Sequence, residues 1–387
     1  MSQQSMSESG MSQQSMSEHD MNEHGMNEHG MNEHGMNAAG DARARVRAFA
    51  RGWFPVAREA DLGAPVLATL LDRRLVVFRT GSGDTVVLRD RCAHRGGALH
   101  LGRVAGDAIE CPYHGWSYGA DGACRNIPAN DAGTPVPRNA RVDSYPVVLR
   151  YGLVWTCLGV PLAPAPFLPE LEPLEMTYLA GEPADVAAGI VAAAENFRDV
   201  AHFPFVHRGT MGDVPHQVER LDVGRDGYET WMTRTYSAQG GAAELFRDVA
   251  DIAFRYHAVA PGLVSVLLDH GDGGQRVVME CLAPAGATGC RIFLVSGTAA
   301  GYTVLSPEET LATEMAVLRE DLPTLDSIEP AEVPFDRRYP EVSVEADRYT
   351  LATRRAYWQF IRDAQGPVSG TMGAGAARAP SAGPASA

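Results

Sequence analysis

A chain of 387 residues with 45% hydrophobic content can bury the cores of two ordinary domains. Its formal charge of −15 excludes the basic patch of a general nucleic-acid binder, and every basic residue is Arg. No apolar run approaches the ~20 residues that a membrane span requires and no signal-peptide stretch opens the chain, so no membrane association and a cytoplasmic location are expected.

Residues 1–42 are expected to form a disordered tail. Met recurs every five residues from Met1 to Met36, the last full units read MNEHG, and nothing aromatic or β-branched offsets the ordering entropy. His19, His24, His29 and His34 share the period. On a helix each would turn about 140° from the last, so they form no common metal-binding face.

Order is expected over 43–160. Strand-like runs at Val66–Leu71, Leu75–Arg79 and Thr85–Leu88 are punctuated by the turn residues Gly81-Ser82-Gly83-Asp84. Two knuckles follow, Cys92-Ala93-His94 and Cys111-Pro112-Tyr113-His114, with sixteen residues between them. Two Cys and two His suit either a tetrahedral zinc site or a 2Fe-2S cluster with thiolates on one iron and imidazoles on the other. Zinc fingers usually pair Cys with Cys, so the mixed knuckles favour the cluster. Gly96, Gly97 and Gly115 suit a backbone that wraps closely around inorganic sulfur. His100 is read as a packing or surface residue. Runs at Val147–Leu149 and Leu153–Leu158 close a small antiparallel β domain. The other cysteines, 124, 157, 281 and 290, show no paired spacing and are expected as reduced thiols.

A Pro-rich linker is expected over 161–183, a second domain over 184–366 and a Gly/Ala/Ser/Pro-rich tail over 367–387. The second domain opens on helix formers from Ala184 to Val200. Asp199 and His202 share a helical face, and Pro204 breaks the helix so that His202 and His207 converge. Two His with one distant carboxylate make the facial triad of non-haem Fe(II) oxygenases. Alone, two His at this spacing are equally readable as satisfied buried residues. Strand-like runs at Leu263–Leu268, Arg276–Cys281 and Arg291–Val295 predict an antiparallel sheet. Ser306-Pro307-Glu308-Glu309 predicts a capped helix that turns Leu311, Met315 and Leu318 to a core, and a last helix is expected over Glu345–Arg362. No Gly-rich loop carries a phosphate-cradling motif.

From Trp53 to Arg362 the chain resembles the Rieske non-haem iron oxygenases, specifically their catalytic α subunit. The resemblance implies an α+β fold: an N-terminal antiparallel β Rieske domain plus a C-terminal antiparallel sheet covered by helices, helix-grip-like. It implies that Cys92, His94, Cys111 and His114 ligate the Rieske 2Fe-2S cluster. The family motif N-x-x-D-x-x-H-x₄-H matches Asn196, Asp199, His202 and His207, which implies mononuclear Fe(II) on both His and a bridging role for Asp199 between subunits. The third iron ligand is expected at Asp321, with Glu320 and Asp326 as alternatives. Tyr113 stands where respiratory Rieske proteins carry a further Cys. The Ala201–His207 stretch and Ala346-Asp347-Arg348 look most like the vanillate-demethylase and phenoxybenzoate-dioxygenase branch.

The implied activity uses O2 and electrons from a separate ferredoxin or flavin reductase to hydroxylate or demethylate a small organic substrate, in a homotrimer. Ring cis-dihydroxylation and N-oxygenation remain open, and a Rieske electron-transfer protein without substrate is the rival from another class.

Overall fold

The computed structural model describes residues 43–212, 214–237, 251–286, 288–333 and 341–366. The tails expected at 1–42 and 367–387 lie outside the described residues.

After a short helix α1 (43–49), the first part of the chain forms three small antiparallel sheets. Strands β1 (Phe54–Arg58), β10 (Val147–Arg150) and β11 (Leu153–Thr156) make one sheet, in the order β1-β11-β10. Strands β2 (Val66–Leu70), β3 (Arg73–Arg79), β4 (Thr85–Arg89) and β9 (Ser144–Tyr145) make the second. The third is β5 (Arg103–Ala105), β6 (Ala108–Glu110), β7 (Ser117–Gly119) and β8 (Cys124–Asn126).

Alternate residues along a strand face opposite sides. On β3, Leu75 and Val77 therefore join the main core of the chain while Val76 and Phe78 enter a second, separate core. That second core also holds Leu88, Ile109 and Tyr118, together with Cys92 and Cys111. The knuckle thiols are thus fixed by ordinary apolar packing on one side.

The Pro-rich stretch is more structured than a linker. Its end, β12 (Thr177–Ala180), pairs with the last strand of a large antiparallel sheet. That sheet runs β12-β19-β18-β17-β16-β15-β14, with β13 (Ala184–Val186) also on β19. Its members are β14 (Val223–Asp226), β15 (Glu229–Ser237), β16 (Asp251–Val259), β17 (Leu263–Asp269), β18 (Gln275–Pro284) and β19 (Cys290–Thr298). Neither β14 nor β15 is among the strands expected from sequence. The central strand β18 is buried on both faces except at its first residue. Helix α2 (Ile190–Arg198) packs against it and β17, and β1 of the first part also packs against it. A strand covered on both faces reads as a continuous apolar run, without polar alternation. This explains VVMECLAP.

Helix α5 (Pro307–Ser327) lies on β12 and β19, and α6 (Arg348–Gln365) on β14 and β15. The expected start of α5 is present as a complete capping box: Ser306 accepts from the Glu309 N–H, and Glu309 accepts from the Ser306 N–H. Its buried residues are Thr310, Glu314, Leu318, Asp321 and Leu325, one face at helical spacing. Leu311 and Met315 are only partly buried against the core. Two acids therefore sit on the inward face of the helix.

The start of the second part differs from its reading. Residues 184–186 are strand, and α2 ends at Arg198 with Asp199 in extended conformation. Pro204 does not break a helix; it occupies the first turn of the short helix α3 (Phe203–Val206), where a missing N–H costs nothing. A second short helix, α4 (Arg208–Met211), follows directly.

Candidate active site

The two knuckles are the same loop built twice. The Cys92 N–H donates to the Gly97 carbonyl at 2.8 Å and the Gly96 N–H returns to the Cys92 carbonyl at 2.9 Å. The Cys111 N–H donates to the Trp116 carbonyl at 2.8 Å and the Gly115 N–H returns to the Cys111 carbonyl at 3.0 Å. Both returning glycines have positive φ, 74° at Gly96 and 70° at Gly115, which other residues adopt only under strain. A Cβ at Gly97 would lie 3.2 Å from Cys111 Sγ, so the bare backbone leaves the room that an inorganic group needs.

Both cysteines are buried, and His94 and His114 are exposed. The two imidazoles face each other, 4.5 Å between ring centroids, and His94 stacks on Trp116 at 4.7 Å with the rings nearly parallel. Cys92 Sγ lies 3.0 Å from the Tyr118 hydroxyl, which also accepts from the Ala93 N–H. Burial pushes the Cys111 thiol above its ordinary range, while the backbone N–H groups of Tyr113 and His114 pull it back toward the thiolate. Buried thiols with N–H donors and paired imidazoles fit a cluster that has sulfur on its inner iron and nitrogen on its outer one. His100 is turned to Asp90, 2.8 Å from its carboxylate, which also takes Arg74.

The second constellation is built by α2, α3 and α5. His202 Nε2 and His207 Nε2 are 3.0 Å apart, and each is 3.4 Å from Asp321 Oδ1. Bonds of about 2.1 Å at right angles place neighbouring donor atoms ~3.0 Å apart, so this triangle fits one face of an octahedral metal. The residues behind it agree. Glu320 Oε2 takes the far nitrogen of His207 at 3.1 Å and accepts from Thr210 at 2.7 Å, which turns the His207 Nε2 lone pair inward. The Asn196 amide donates to Asp321 Oδ1 at 3.1 Å. Burial raises the Asp321 carboxyl above its usual range against the pull of His207 and His202.

The alternatives for the third carboxylate separate cleanly. Glu320 stands behind His207, and Asp326 is taken up by the Ala187 N–H at 2.9 Å. Asp321 alone of the three meets both imidazoles. Asp199 Oδ2 lies 3.5 Å from His202 Nδ1, off line for a hydrogen bond, and Asp199 Oδ1 accepts from the Ala201 N–H. The Asp199 side chain is 36% exposed and that of His202 14%, so this carboxylate lies between a partly buried imidazole and the surface.

The triangle forms one wall of a narrow pocket with about 60 Å³ of room. Phe203, Phe254, Val266, Val278, Val317 and Leu318 give it an apolar lining. Arg276, Glu280 and Glu314 also face it, and the sequence reading missed all three. Glu280 interrupts an apolar run and Glu314 occupies a core position of α5. A charged residue inside a buried period is the signal that was available.

Among the described residues, no helix is long and apolar enough to cross a membrane. The family model for the Rieske 2Fe-2S domain matches residues 52–146, and that for the vanillate O-demethylase oxygenase C-terminal domain matches 186–363. The chain is 31% identical to methylxanthine N1-demethylase NdmA of Pseudomonas putida over 81% of this chain and 89% of that one. It is 30% identical to the N3-demethylase NdmB of the same organism over 75% and 81%. The structure of P. putida NdmA with caffeine superposes at a TM-score of 0.71 with 26% identity, covering 83% of this chain and 96% of that one. With both domain models in order along one chain, this protein belongs to the Rieske non-haem iron oxygenases as a catalytic α subunit, an oxidoreductase with a 2Fe-2S cluster and mononuclear iron.

Proposed function

We propose that Cys92, His94, Cys111 and His114 hold the cluster, that His202, His207 and Asp321 hold the mononuclear iron, and that the enzyme oxidatively demethylates a small ring compound. The observation that carries this reading is the His202–His207–Asp321 triangle set in the wall of an apolar pocket. The domain bounds proposed with it are 43–160 and 184–366, joined by 161–183.

When bound, the iron supplies O2 activation and the cluster supplies electrons from a separate reductase. The rest is done by this chain's residues. Glu320 fixes the His207 ring, and Asn196 holds the Asp321 carboxylate in place. The apolar lining excludes water from the pocket and orients a flat ring. Asp199 reaches from His202 to the surface, where an exposed imidazole of a second copy, His94 or His114, completes the contact. Such a head-to-tail contact closes as a ring, and a homotrimer is the assembly we propose. The donor is a ferredoxin or flavin reductase.

Among the demethylations, removal of an N-methyl group is favoured by the likeness to NdmA and NdmB. Iron analysis is expected to give about three Fe per chain, against about two for an electron carrier with the cluster alone. Incubation with reductase, O2 and a panel of N-methyl and O-methyl ring compounds is expected to release formaldehyde. A ring diol in its place would move the assignment to cis-dihydroxylation, and two Fe per chain without product would leave an electron carrier.

A further inference from the structure

The pocket has two chemically different ends, and two independent rulers place them. On β18, Arg276, Val278 and Glu280 alternate along one face and all line the pocket, so Arg276 and Glu280 are about 13 Å apart along the strand. On α5, Glu314, Val317, Leu318 and Asp321 line it too, with Glu314 and Asp321 about 10 Å apart along the axis. Arg276 Nη1 donates to Glu314, which ties the far ends of both elements together. The near end is the His202–His207–Asp321 triangle. Between them lie Val278, Val317 and Leu318.

Arg276 is 1% exposed, yet its guanidinium is only partly satisfied. Nη1 goes to Glu314 and Nε to His270 Nε2 at 3.2 Å, and Nη2 has no hydrogen-bond partner among the described residues. Burial and Arg276 depress His270 to about 4, so its ring is neutral at pH 7 and accepts through Nε2. A buried N–H donor without a partner is costly, and a ligand that supplies the acceptor recovers that cost. The charge on the guanidinium is already balanced by Glu314. Glu280, farther along the strand, adds no positive charge, and its Oε2 also has no hydrogen-bond partner among the described residues. This end therefore offers a buried, unsatisfied donor without a net positive field.

We propose that Arg276 is the far anchor of the substrate pocket. It takes a neutral, flat ring compound whose carbonyl oxygen or ring nitrogen accepts from Nη2 while the opposite end meets the metal triangle, in preference to an anionic carboxylic acid. This assignment rests on the oxygenase reading above. Arg276 is a binding residue, and Glu314 sets the charge it presents.

The test uses the full chain loaded with iron and cluster, and two probes that share a ring and a methoxy group: 4-methoxybenzamide, neutral, and 4-methoxybenzoate, anionic. By equilibrium dialysis the amide is expected to bind at least tenfold more tightly. Arg276→Gln is expected to weaken the amide at least tenfold without loss of iron. Glu314→Gln leaves the guanidinium charge unbalanced and is expected to shift the amide-to-benzoate ratio at least tenfold toward benzoate. The double variant Arg276→Gln/Glu314→Gln replaces the ion pair with a neutral one and is expected to weaken the amide at least tenfold while keeping it ahead of benzoate, which keeps the test open if a single variant does not fold. Equal or tighter benzoate binding by the unmodified protein overturns the proposal. So does an unchanged ratio in Glu314→Gln, or binding of neither probe. Iron content, cluster EPR and reductase-dependent O2 uptake are recorded on the same samples. Their absence defeats the oxygenase reading itself, whereas their presence with a reversed preference defeats only the anchor.

Discussion

The proposed cluster loops and the proposed mononuclear triangle use similar ligand types in opposite settings. At the loops the thiols are buried and both imidazoles are exposed. In the triangle His207 and Asp321 are buried, and carboxylate or amide groups stand behind the ligands. The loops also repeat one local hydrogen-bond pattern, whereas the triangle joins residues from α3 and α5 that are far apart in sequence. The difference teaches what each must do. An electron inlet needs a ligand edge within reach of a partner. An oxidising site needs fixed ligands, little water and a shaped cavity.

The largest expected effect comes from Cys111→Ser. It removes a thiolate packed in the second core, and the cluster's visible absorbance and EPR signal are expected to vanish, with iron falling from about three to about one per chain. Retention of the signal would refute the loop as its seat.

Asp199→Asn comes next, because it cuts the proposed connection between the two settings without removing a ligand of either. Both metals are expected to stay while reductase-driven turnover falls at least ~100-fold, the scale of lost proton-transfer and positioning groups. Full turnover in an iron-replete variant would remove Asp199 from the connection.

Glu320→Gln tests the backing of His207. Iron affinity or turnover is expected to fall about 10- to 100-fold, with the cluster spectrum unchanged. An unaltered iron titration would reduce Glu320 to a surface acid.

The smallest effect is expected from Tyr118→Phe. Loss of one hydrogen bond to Cys92 Sγ is expected to lower the cluster potential by on the order of 60 mV, about 1.4 kcal/mol for one electron, while iron content stays constant. A potential that does not move would show that this hydroxyl serves packing only.

The strands of the first part were legible because short apolar runs, LVVF in β3 and VVL in β4, are buried on both faces, and because Gly and Asp mark the turns between them. The α5 start was legible because a capping box is a local device. β14 and β15 were not. Their residues are mostly polar or aromatic without a clean sequence period, and pairing of β15 with β16, and of β14 with β15, supplies their order. The helix expected to run through Asp199 was also misjudged, since propensity does not reveal where the chain leaves α2 to turn His202 toward α5.

By itself, the sequence determined the local chemistry: two mixed Cys/His knuckles with glycines where positive φ is needed, and a His pair at fixed spacing. These follow from the residues' own geometry and survive any arrangement of the rest. Only the tertiary structure decided which of Glu320, Asp321 and Asp326 meets the imidazoles, and that Arg276 and Glu314 close the far end of the pocket. Neighbouring residues on one helix point in different directions, and a pocket is made by side chains that meet only when sheet and helix pack.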